Sequence, residues 1–198
     1  MHVARRFAWV AGVTFLTMTG AAAVSAQTVT FSEIRDAVPG RFFNAATTAV
    51  SELDPNTLNI GLESGLDFAT FKFREFRASS LAFSHASAMD TISFTVEAPE
   101  GYYIAAITYT QRGSGSVVRT GRAAGTANWV VGDRAADLGT FGTNPTLSER
   151  MELTDVKLTR VPVSISNSLF GFSTPLLGAA TVAVTGAQVQ VEVLPLEH

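Results

Sequence analysis

Beyond residue 26 the 198-residue chain holds two histidines, His85 and His198, and it has no cysteine anywhere. A Cys/His zinc site cannot be built from that inventory, and a cysteine nucleophile is excluded. A serine nucleophile would have to lean on His85, yet no Gly-x-Ser-x-Gly turn is present and His85 lies among small residues, Ser84, Ala86 and Ser87. The one loop region that gathers aromatic, acid and base runs from Trp129 through Asp133 and Arg134 to Asp137. Flat rings that can stack on sugars are offered by Trp129, Tyr102, Tyr103 and Tyr109. Trp129, Asp133 and Tyr109 are therefore the candidate ligand-binding residues, with polysaccharide as the ligand class. No catalytic residue and no metal ligand is assigned.

Two further patterns fall short of known chemistry. Asp54-Pro55-Asn56-Thr57-Leu58-Asn59 is rich in oxygen but lacks the spacing and mid-loop glycine of a calcium-binding loop. Gly113-Ser114-Gly115-Ser116 has the glycines of a phosphate cradle, but no Lys-Ser/Thr pair or helix pattern follows. No cofactor is implied. The carboxylate pair of a glycoside hydrolase is defined by separation in space, so the residue inventory leaves that activity open as an alternative.

The elements that must position these residues are strands. From Ala179 to Leu194, apolar residues fall on Val182 and Val184 and then on Val189, Val191 and Val193, with polar residues between. A period of two means one packed face and one wet face, and the change of parity predicts a bulge at Gly186. Thr91 to Glu97 alternates in the same way, with Ile92, Phe94 and Val96 inward. Shorter strands are predicted at Thr28 to Ile34, Leu58 to Glu63, Leu66 to Arg77 and Tyr102 to Thr110, and in a Trp129–Val131 and Leu138–Phe141 pair joined by Gly132-Asp133. Glu149 to Ile165 reads as one long strand with two slips, which imply bulges or a crossing from one sheet to another near Arg160 to Pro162. One helix is predicted over Arg41 to Leu53, where Phe42, Ala46, Val50 and Leu53 recur at intervals of three and four. The fold class that follows is all-β, a two-layer antiparallel β-sandwich of jelly-roll type with at most one short helix. Its expected core is Phe31, Phe68, Phe71, Phe73, Ile92, Phe94, Val96, Ile107, Val163, Ile165, Val182, Val184, Val189 and Val191.

Residues 1–26 have the three parts of a signal peptide: Arg5-Arg6, an apolar stretch from Phe7 to Met18, and small residues ending in Val24-Ser25-Ala26. Cleavage there would leave one domain, residues 27–198, exported to the periplasm, the cell surface or the medium. Losing Arg5 and Arg6 leaves 12 basic against 17 acidic residues, a formal charge of about −5. That balance draws in neither nucleic acid nor an anionic membrane. Lys72, Arg74 and Arg77 alternate with phenylalanines, but such a strand shows rings on one face and charges on the other, a core strand rather than a nucleic-acid platform.

The expected function is therefore that of a non-catalytic, contact-acting β-sandwich: a matrix, surface or self-assembling subunit, with a carbohydrate-binding module as the alternative beside the hydrolase. Only Lys72 and Lys157 are lysines, so the strands at the two chain ends lack the usual charge that blunts a sheet edge. Residues 27 to 34 are expected to dock on the sheet of a neighbouring copy.

Overall fold

A computed structural model describes residues 28–37, 43–62, 84–119, 122–141, 146–173 and 178–197. The strands are β1 (Thr30–Asp36), β2 (Ala49–Val50), β3 (Thr57–Ile60), β4 (Ser84–Glu97), β5 (Tyr102–Arg119), β6 (Arg122–Val131), β7 (Arg134–Phe141), β8 (Thr146–Glu152), β9 (Arg160–Ser173) and β10 (Gly178–Pro195). They form two five-stranded sheets, ordered β1-β4-β9-β6-β7 and β2-β3-β10-β5-β8. The inner pair β6·β7 is enclosed by β5·β8, then by β4·β9, then by β3·β10, and successive pairs fall in alternate sheets. Four nested antiparallel pairs wound in this way are a jelly roll, to which β1 and β2 add one edge strand each.

β10 is central in its sheet and pairs with β5 along its whole length, from Gly178↔Arg119 to Pro195↔Tyr102. The register slips between Val184 and Gly186, at the expected bulge. Ile92, Phe94, Val96, Ile107, Val163, Ile165, Val189 and Val191 are buried between the layers, while Phe31 and Val184 are partly buried against that core. Phe68, Phe71 and Phe73 lie outside the described residues, as does the side chain of Val182. Gly132, with φ +62, takes the first central position of the β6–β7 hairpin, a conformation that favours glycine there.

Three expectations are corrected. The Arg41–Leu53 helix is replaced by a single 3-10 turn at Ala45–Thr47 followed by β2. Asn44 Oδ1 accepts from the amides of Ala46 and Thr47, and Thr48 Oγ1 donates to the Asn44 carbonyl, so short polar side chains take the bonds that a helix would have used. Phe43 enters the core and Leu53 is 97% exposed, while Phe42 lies outside the described residues. The stretch 149–165 is two strands in opposite sheets, and the crossing occurs over residues 153–159 rather than at Arg160–Pro162. Gly113–Ser116, which the sequence already sets apart from a phosphate cradle, lies inside β5.

The third correction concerns the N-terminal strand, which belongs to its own sheet. β1 pairs antiparallel with β4, from Thr30↔Glu97 to Asp36↔Ile92, and Val29 is buried with its amide donating to Asn56 Oδ1. Its edge is blunted by shape rather than by lysine: the register shifts between Ser32 and Arg35, and Glu33 there has φ +55. No helix among the described residues is long and apolar enough to cross a membrane.

Candidate functional site

β5 and β6 lie in opposite sheets, and their inward faces bring Tyr109 and Trp129 together across the sandwich. The ring centroids are 6.1 Å apart at an interplanar angle of 38°, and both residues have 0% exposure. Two residues from Tyr109 on the same face, Gln111 Oε1 accepts the tyrosine hydroxyl at 2.6 Å. From β9 comes Asn167, also fully buried, and opposite it on β4 stands the buried Asp90. Alternation placed all of these groups. Counting in twos from Ile107 puts Tyr109 and Gln111 inward, from Ile165 it puts Asn167 inward, and from Ile92 it puts Asp90 inward.

The result is a polar belt through an otherwise apolar core. Asp90 Oδ2 accepts from the Phe43 amide at 3.1 Å and Oδ1 from the Thr91 amide at 2.8 Å, which secures the chain where it enters the core at Phe43. Gln111 Nε2, Trp129 Nε1 and both polar side-chain atoms of Asn167 have no hydrogen-bond partner among the described residues. Burial pushes the Tyr109 hydroxyl far above its ordinary pKa, and the nearby Asn167 amide offsets part of that shift without reaching hydrogen-bond geometry. A hydroxyl held neutral in this way is neither an acid nor a base near neutral pH.

Two of the three candidate ligand residues are thus brought together, but inside the core. Neither Trp129 nor Tyr109 can present a ring face to a sugar, because each is covered by the opposite sheet. The expectation of an exposed stacking platform is corrected on that ground: in a strand of alternating faces, these two rings share parity with the apolar core. Asp133 stands apart, exposed in the β6–β7 turn. The belt residues Gln111, Asn167 and Asp90 were missed because they are polar; parity continued past the last apolar residue was the signal that would have found them.

The exterior carries the remaining candidate chemistry. On the outer face of the β10 sheet, Arg150 bridges two carboxylates, with Nη2 at 2.7 Å from Glu192 Oε2 and Nε at 2.6 Å from Glu152 Oε1. Arg150 holds Glu192 below the ordinary carboxylate range, and Arg134 does the same to Asp155. Asp54 is lowered first by the Thr57 hydroxyl, which donates to its Oδ2 at 2.7 Å, and then by the Asn56 amide. A general acid of a glycosidase needs the opposite shift. The side-chain oxygens of Asp54, Asn56 and Thr57 are engaged in such internal bonds, and no cluster of metal-ligating side chains occurs among the described residues.

The outer face of the other sheet is of a different kind. Outward positions on β4 from Ser87 to Thr95, on β9 from Pro162 to Phe170 and on β6 from Ala124 to Val130 are hydroxyl, amide or apolar, and Thr91 Oγ1 and Ser166 Oγ share a 2.7 Å hydrogen bond at their centre. A shallow hollow of about 360 Å3 lies toward one end, lined by Ser93, Thr95, Val130, Pro162 and Ser164, with Glu33 and Arg35 on its rim. Comparison of the chain with protein-family models finds no match, and comparison with curated proteins finds none either.

Proposed function

We propose that this is an exported, non-catalytic β-sandwich that acts by contact, as a matrix, surface or self-assembling subunit. The observation that carries the reading is the complete burial of Trp129 and Tyr109: the rings best suited to grip a ligand are sealed in the core, which leaves the protein its exterior to work with. Support comes also from the carboxylates, since Asp54, Asp155 and Glu192 are all held ionised by local partners rather than poised to deliver a proton. The three-part pattern of residues 1–26 supports export.

Self-association is the form of contact we favour. One route is strand addition at β1, whose straight half, Thr30 to Ser32, precedes the bulge and, among the described residues, pairs only on its β4 side. The other three sheet edges among the described residues are less suited: β2 has two residues, β8 carries Glu149, Arg150 and Glu152, and β7 carries Asp137 and a positive-φ Gly139. Removal of 27–34 is a poor test, because it takes the buried Val29 with it. The better test is Thr30→Lys, at an exposed position, followed by sedimentation of the chain recovered after export. Weakened association in this variant is expected if β1 is the contact, and unchanged association excludes that edge.

A further inference from the structure

The neutral face of the β1-β4-β9-β6-β7 sheet has an internal symmetry of shape. Its central row is Thr91, Ser166 and Asn128, adjacent on β4, β9 and β6. Four residues beyond Ser166 along β9 stands Phe170, pointing outward and 43% exposed, with Met89 nearby on β4 at 62%. Four residues before Ser166 stands Pro162, in the wall of the hollow. At about 3.3 Å per residue, knob and hollow lie at equal distances, roughly 13 Å, on either side of the central row. A feature and its receptor placed in this way are exchanged by a two-fold axis through Ser166, the condition for an isologous contact.

Charge is arranged to match. No outward residue from Ser87 to Thr95, from Pro162 to Phe170 or from Ala124 to Val130 is charged. Ionic groups stand at the margin instead: Glu33 and Arg160, 3.6 Å apart, with Arg35, Glu97 and Arg122, and Asp137 on the edge strand β7, paired with Asn128 at the end of the central row. A charge-depleted centre inside a polar rim is the anatomy of a protein interface. The chain is acidic overall, so copies repel wherever charged surfaces meet, and this face is the one that avoids the penalty. The opposite outer face could not serve in the same way, since stacking it would bury the Arg150 ion pairs. The three neutral strands present roughly 400 Å2 per copy at about 4.8 Å between strands and about 3.3 Å per residue, and the polar rim on β1 and β7 brings the face to about the size of one side of a standard interface.

We propose that this face is the contact between two copies of the chain, related by a two-fold axis through the Thr91–Ser166–Asn128 row, with Phe170 of each copy seated in the hollow beside Pro162 of the other. The proposal rests on the reading of the protein as self-associating and names the surface that does it. Edge addition at β1 extends a sheet, whereas this contact pairs sandwiches back to back.

Ser166 sits on the axis and meets its own copy, which gives the test its design. Ser166→Glu and Ser166→Lys each place two like charges in contact, so each variant alone is expected to sediment as a monomer where the unchanged protein forms dimers. An equimolar mixture of the two is expected to recover dimers, because unlike charges then meet. Phe170→Ala should weaken dimerisation by at least about tenfold, as loss of a ring seated in a pocket does. Circular dichroism and Trp129 emission, unchanged in all variants, would show that the fold persists. Dimers that survive both Ser166 variants, or a mixture that stays monomeric, overturn the face contact while leaving self-association standing. If the unchanged protein is monomeric at every concentration, the self-association reading falls, and the face contact with it.

Discussion

The Tyr109 hydroxyl donates to Gln111 Oε1 at 2.6 Å within a fully buried site, a bond between two residues of one strand face that is closed in by the opposite sheet. Removing one partner leaves the other unpaired in an apolar core. Tyr109→Phe and Gln111→Met should each cost about 1 to 3 kcal/mol. The double variant should cost less than the sum of the two, with a coupling of about 0.5 kcal/mol or more in a denaturant-unfolding cycle. Strict additivity would mean that the bond contributes nothing.

Phe94 lies 2% exposed between the sheets with its ring 6.2 Å from that of Phe31. Phe94→Ala should destabilise the protein by about 3 to 5 kcal/mol in urea unfolding, combining lost burial with the cavity left behind. A loss below about 1 kcal/mol would place the ring outside the core.

Trp129 is buried beside Tyr109, so its fluorescence should be blue-shifted and poorly quenched by acrylamide. Neutral polysaccharides should leave its emission unchanged. A sugar-dependent shift would return Trp129 to a binding surface and restore the carbohydrate-binding alternative.

Acid should destabilise the fold through its ion pairs. Glu192, paired with Arg150, has a folded pKa below its unfolded one, so its contribution is present at neutral pH. That contribution is lost as pH falls through the ordinary carboxylate range and then through the depressed value; Asp155 and Asp54 follow the same sign. All three groups are largely solvent-screened, which keeps each effect small. Calorimetry should show Tm falling on acidification, and Glu192→Gln should make the fall shallower.

Gly61 sits where a Cβ would come within 2.6 Å of the Asn44 carbonyl oxygen and against Thr47. Gly61→Ala should therefore cost about 1 to 3 kcal/mol, since backbone rather than a flexible side chain has to give way. A thermal unfolding midpoint equal to that of the unchanged protein would contradict this close approach.

Alternation made much of the sandwich legible. The inward set Ile92, Phe94 and Val96, the slip at Gly186 and the Gly132-Asp133 hairpin all follow from period two and turn chemistry, which are local properties of the chain. The nesting of β3 with β10 and of β4 with β9 depends on pairings across more than 60 residues, and no local pattern encodes those partners. The Arg41–Leu53 spacing of three and four misled because Asn44 and Thr48 use their side chains to bond the backbone, ending the turn before a helix can propagate. At the site, aromatic type suggested ligand contact for Trp129 and Tyr109 while their parity argued for the core; burial decided in favour of parity. The neutral outer face was hidden for a different reason. Its residues come from β4, β6 and β9, and only their alignment in register shows that the charges all fall at the margin.

The central claim is that this protein works by contact between copies, and sedimentation velocity over a wide concentration range tests it most directly, using the chain recovered after export. The account predicts a weight-average mass that rises from monomer to dimer or beyond as concentration increases. A single monomeric species at every concentration would contradict it.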